Sequence, residues 1–141
     1  MARTTPTTAH RRTRDDHASE IAEDYVEAIA SLENEDRGCR VTDLARRFGV
    51  SHVTVVRTIK RLGRDGLVIT EPYKPIRLTP RGRRLAAACR DRHEVVYRFL
   101  LALGVEARIA AVDAEGIEHH VSPSTLEQFR AFVASQGSGP D

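Results

Sequence analysis

The chain has 141 residues, 40% of them apolar and 5% aromatic with no tryptophan, which suits one domain or two small ones around an aliphatic core. No stretch approaches the ~18 consecutive apolar residues of a membrane-spanning helix. No apolar run follows Arg3, Arg11, Arg12 and Arg14, so the start does not read as a secretory signal. Cys39 and Cys89 form neither a CxxC pair nor a disulfide framework, and the chain reads as cytoplasmic.

The net charge of +2 conceals three blocks. Residues 1–36 hold four basic and nine acidic side chains, residues 37–90 fourteen and three, and residues 91–141 four and eight. The basic middle is an electrostatic footprint for a polyanion, with nucleic acid the leading candidate. The acidic flanks call for cations or mutual pairing.

In chain order, residues 1–15 lack helical periodicity and read as a disordered basic arm. From about Asp16 to Glu33, the spacing of Ile21, Tyr25, Ile29 and Leu32 predicts an amphipathic first helix. After the polar loop ENEDRG, Arg40-Val41 starts a short strand, and Thr42 caps a second helix over Asp43–Phe48 that Gly49 stops. Ser51 caps a third helix, His52–Gly63, whose Val53, Val56, Ile59 and Leu62 are expected to pack on the first two. LVITE (67–71) and IRLT (76–79) alternate as the strands of a hairpin. Thr79-Pro80 opens a long helix to about Leu103, a fifth helix spans about Glu106–His120, and Ser122-Pro123 opens a sixth ending near Ser135. Residues 136–141 read as a frayed tail.

The fold expected is mainly α with a small β-hairpin wing. A winged helix-turn-helix over residues 16–90 precedes a helical dimerisation domain over residues 91–135. In a winged helix the third helix reads bases and its surroundings hold phosphates. The candidates there are Ser51, His52, Thr54, Arg57, Thr58, Lys60 and Arg61, with Arg57 able to fork onto guanine. Arg46 and Arg47 before the turn, and Lys74 and Arg77 on the wing, are candidate phosphate contacts.

A second constellation has metal-ligand character. Asp24 and Glu27 share a face of the first helix, Glu115, Glu118 and His119 share a face of the fifth, and His93 lies mid-way along the fourth. Carboxylate and imidazole donors without thiolate suit Mn(II) or Fe(II) better than structural zinc, and four carboxylates suit a bridged pair of ions. On spacing alone these residues are better described as solvated helix-face acids and a satisfied interface histidine than as a site. There is no HExxH and no nucleophile–base pair, so the chain does not read as an enzyme.

The segments AEDYVEAI (22–29), RVTDLARRFGVSHVTVVRTIKRL (40–62), GLVITEPYKPIRLTPRG (66–82), RHEVVYRFLLALGV (92–105) and DAEGIEHHVS (113–122) resemble the manganese-responsive transport regulators of the diphtheria-toxin-repressor family. The resemblance covers about residues 20–134. It implies a metal-activated homodimeric repressor that binds a palindromic double-stranded DNA operator, with two Mn(II) ions per subunit and no organic cofactor. It gives ligand roles to Asp24, Glu27, His93, Glu115, Glu118 and His119. Iron-responsive relatives carry Met and Cys where this chain has Asp24 and Glu118, which favours manganese. Activation by Fe(II), or by an input other than metal, is the alternative. The mechanism expected has metal cross-linking the first and fifth helices, which sets two recognition helices roughly 34–36 Å apart.

Overall fold

The computed structural model describes the backbone of residues 6–137 and side chains from His17 onward. Its elements are α1 (Pro6–Glu33), α2 (Val41–Phe48), α3 (His52–Arg64), β1 (Val68–Ile69), β2 (Arg77–Leu78), α4 (Pro80–Leu103), α5 (Ala107–Ile117), one 3-10 turn (Glu118–His120) and α6 (Pro123–Gln136). Two compact units divide between Ala86 and Ala87, part-way along α4.

The first unit is the winged helix expected: three helices, then an antiparallel hairpin that pairs Val68 with Leu78 and Ile69 with Arg77. The core joins Val26 and Ile29 of α1, Leu44 of α2, and Val55, Ile59 and Leu62 of α3 to Leu67, Ile76 and Leu78 around the hairpin. Tyr25 stacks on Phe48 with ring centroids 4.5 Å apart. Gly49 takes a left-handed φ of 63°, which ends α2 and allows the tight turn into α3.

One carboxylate ties three elements together. Glu33, the last residue of α1, accepts the Leu78 backbone N–H of β2 at 2.9 Å. It also receives the forked guanidinium of Arg83 on α4 at 2.9 and 3.1 Å. The start of α4 is set by Thr79, whose hydroxyl donates to Gly66 O at 2.6 Å and accepts Gly82 N–H at 3.0 Å.

Several sequence expectations are corrected. α1 begins at Pro6, so residues 6–15 of the expected disordered arm are helical, with proline in the first turn where its fixed φ is tolerated. The cap of α2 is Arg40 rather than Thr42; the Arg40 N–H donates to Asp43 Oδ2 at 3.0 Å. No strand starts at Arg40-Val41; instead Cys39 forms an isolated bridge with Ile76. The hairpin strands are two residues each.

On α3, Val53 and Val56 are 66% and 40% exposed, and the buried stripe is Val55, Ile59 and Leu62. A strict three-residue repeat slips back about 60° per step on a helix that turns about 100° per residue, so over three steps its ends reach opposite faces. The spacing four-then-three of Val55, Ile59 and Leu62 stays within one narrow arc.

In the second unit, Val95 and Val96 of α4 pack with Ala114 of α5 and Leu126 of α6. Phe99 stacks on Phe129 with centroids 3.9 Å apart. Ser122 caps α6 by accepting Thr125 N–H at 3.2 Å, with proline in the first turn.

Candidate metal centre and nucleic-acid interface

In the first unit, α3 presents a largely exposed face that includes His52, Val53, Thr54, Val56, Arg57 and Lys60. His52, Val53, Val56, Arg57 and Lys60 line a shallow groove of about 400 Å³. The short hydroxyls are partly committed to the helix itself. Ser51 accepts Thr54 N–H at 3.2 Å, and Thr58 donates to Thr54 O at 2.9 Å. That leaves Arg57 and Lys60 as the charged reach of this face and the two valines as its apolar part.

Arg46 and Arg47 stand exposed in the last turn of α2. On the hairpin Arg77 is exposed, while Lys74 pairs with Glu71 at 2.8 Å and keeps 68% of its side chain in solvent. Arg61 is only half-exposed. It lines a second cleft of about 820 Å³ with Arg64, Arg81 and Arg84, away from the groove lined by Arg57 and Lys60. Val53 and Val56 belong to the exposed face of α3, although their three-residue spacing places them in the expected core stripe.

Asp24 and Glu27 of α1 sit three residues apart, both half-buried, on the helix that also supplies Tyr25, Val26 and Ile29 to the first core. Three residues apart, the two acids are neighbours on one side of the helix.

The second unit brings three of the expected ligands together. Glu118 is 2% exposed, the one buried charged residue among those described. Its Oε1 lies 3.7 Å from His93 Nδ1 and 3.8 Å from His119 Nε2. Both separations exceed hydrogen-bond length, and the two imidazoles share one carboxylate oxygen as their neighbour. His93 is held parallel to Tyr97, with ring centroids 6.4 Å apart. A carboxylate taken out of water needs a compensating positive charge or hydrogen bonds, and imidazole nitrogens around it form a donor set for a cation.

Glu115 stays exposed on α5. The expected single helical face of Glu115, Glu118 and His119 is corrected in one respect. α5 ends at Ile117, and Glu118 and His119 belong to the 3-10 turn that follows. A 3-10 turn winds tighter than an α-helix and redirects its side chains relative to Glu115.

Residues 17–76 match the sequence model described as iron dependent repressor, N-terminal DNA binding domain. Residues 79–140 match that of the metal binding and dimerisation domain of the same repressors. The chain belongs to the iron-dependent repressor family. It is a metal-dependent, DNA-binding transcriptional regulator with a dimerisation domain, and not an enzyme.

Among its relatives, the transcriptional regulator MntR of Escherichia coli O157:H7 is 45% identical over 128 residues, 91% of this chain and 83% of that protein. MntR of Salmonella typhi is 44% identical over 131 residues, 93% of this chain and 83% of that protein. Among solved structures, a manganese-dependent transcriptional repressor in complex with manganese superposes with a TM-score of 0.71 at 31% identity, covering 80% of this chain and 52% of that one. The manganese regulator SloR gives 0.70 at 28% identity, covering 80% and 53%. The chain thus spans about half the length of these two solved proteins. No helix among the described residues is long and apolar enough to cross a membrane.

Proposed function

We propose that this regulator is a cytoplasmic, manganese-activated homodimeric repressor of manganese-uptake genes, acting on a palindromic operator. Residues 16–90 serve as the DNA-binding part and residues 91–135 as the metal-binding and dimerisation part. The observation that carries the metal reading is the buried Glu118 carboxylate faced by His93 and His119 at 3.7 and 3.8 Å. Asp24, Glu27 and Glu115 complete the proposed ligand set, enough for two ions per subunit. It is an oxygen-and-imidazole set without thiolate, which suits Mn(II). The bound ion supplies positive charge that offsets the clustered carboxylates. Metal loading enlarges the fraction of dimers competent for the operator.

On DNA, α3 occupies the major groove. Arg57 forks onto guanine and Val53 and Val56 meet thymine methyl groups, while Arg46, Arg47, Lys60, Lys74 and Arg77 hold phosphates. The names of the relatives support manganese as the input, and the charge of residues 37–90 supports the duplex as the partner.

The test is Mn(II) titration of chelator-stripped protein, followed by loss of the free-ion EPR signal, beside Asp24→Ala and Glu118→Ala. Two ions per wild-type subunit are expected, with each variant losing at least about 100-fold in affinity, since even outer partners of metal ligands are worth ~10–100-fold. Wild-type binding in both variants would refute the ligand assignment. Activation of DNA binding by Fe(II) but not Mn(II) would make iron the input.

A further inference from the structure

The tip of the wing carries a residue whose conformation has no return within the chain. Glu71 to Lys74 form a turn closed by the Lys74 N–H to Glu71 O bond at 3.1 Å. Proline stands at its second position and a positive φ at its third, the pattern of a type II turn. That third position favours glycine, because a Cβ there crowds the neighbouring carbonyl. Here it is Tyr73, at φ 64°, the one non-glycine residue with positive φ among those described. Its side chain is 99% exposed, so it packs on nothing that would offset the strain. Strain held at an exposed aromatic tip is a mark of a contact made outside the monomer.

The surroundings specify the contact. Tyr73 is followed by Lys74, with 68% of its side chain exposed, and Arg77 stands exposed where the strand begins. β1 of the same hairpin packs against α3, and Tyr73 falls inside the stretch that matches a DNA-binding domain, residues 17–76. A phenol offers a rigid ring and one neutral donor, and tyrosine hydroxyls are among the groups that bond phosphate oxygens. We propose that Tyr73 is a DNA-positioning residue. Its ring lies on the sugar edge of the duplex beside the groove taken by α3, its hydroxyl donates to a phosphate, and this contact sets the angle of the wing. The inference rests on the DNA-binding reading above.

The test uses the full-length protein with Mn(II) and a duplex enriched by the wild type from a random-sequence pool. Tyr73→Gly is expected to lower affinity by about tenfold or more, while its melting temperature stays level or rises because glycine relieves the turn. Tyr73→Phe is expected to show a smaller loss from the hydroxyl alone. Because tyrosine is neutral, the salt dependence of Tyr73→Gly keeps the wild-type slope, whereas Lys74→Ala lowers that slope by about one. Unchanged affinity in Tyr73→Gly overturns the proposal, as does a loss of affinity that tracks a fall in melting temperature. Unchanged affinity with an altered oligomeric state assigns the tip to a protein contact, which also overturns it. Failure of the wild type to enrich any duplex removes the DNA-binding reading itself.

Discussion

Gly82 lies in the first turn of α4, where the helix leaves the hairpin. A Cβ built there would fall on the carbonyl oxygen of Leu67, 3.1 Å from that carbonyl's carbon and 3.2 Å from Leu78 Cδ2. The nearest of these is backbone, so no rotamer change relieves it. Gly82→Ala therefore pushes the start of α4 away from β1. It breaks the Thr79 N–H to Leu67 O bond (3.0 Å) and disturbs the Thr79 cap that receives Gly82 N–H (3.0 Å). Two hydrogen bonds at about 0.5–1.5 kcal/mol each and overpacking at about 1–3 kcal/mol outweigh the ~1 kcal/mol that alanine contributes in a helix. The expected net loss is about 3 kcal/mol, or a fall of roughly 12–24 °C in the transition of a unit this size. Gly116 in α5 is the internal control. Its Cβ would meet no heavy atom within 4 Å, so Gly116→Ala should stabilise by up to ~1 kcal/mol. Circular dichroism melts of metal-free protein, confirmed by urea titration, separate the two. A Gly82→Ala protein that melts at the wild-type temperature would refute the packing of the hairpin on α4.

On a duplex enriched by the wild type, replacing thymine by deoxyuridine should weaken binding. The double variant Val53→Ala/Val56→Ala should lose that discrimination, and equal thymine preference in variant and wild type would exclude methyl contacts by this face. Burial, followed by the charges of Asp43 and Glu33, raises the Cys39 thiol to about 12 from an ordinary 9.0. The folded protein thus resists forming the thiolate that the unfolded chain forms at about pH 9. Stability from this group is full below about pH 9 and is lost as pH rises towards 12. Cys39→Ala should show a shallower alkaline decline in urea titrations than the wild type, and parallel declines would place the thiol in solvent.

What could be read from the sequence was local chemistry. Thr79-Pro80 and Ser122-Pro123 each announce a helix start, because cap and fixed φ act within one turn, and α4 and α6 begin there. Gly49 ends α2 for the same kind of reason. Val53 and Val56 read as core because apolar residues at every third position mimic a stripe. Helical geometry then sends the first of them to the side opposite Leu62, and only the register against α1 and α2 reveals it. The 3-10 turn at Glu118–His120 is equally hidden, since an α-helix and a 3-10 turn place the same residue types side by side and the spacing within DAEGIEHH does not distinguish them. The candidate ligands could be named from residue type and spacing. That Glu118 is buried while Glu115 remains in solvent is a tertiary fact.

The Glu33 carboxylate has a mechanical consequence. It closes the C-terminal end of α1, and the same two oxygens hold the base of β2 and the Arg83 fork. α1 also carries Asp24 and Glu27, less than three helical turns upstream of that pin. The stretch from Asp24 to Glu33 is short enough to transmit tilt with little bending. The hairpin is therefore fastened to α1 twice, by this direct polar link to β2 and by the shared core that includes the recognition helix.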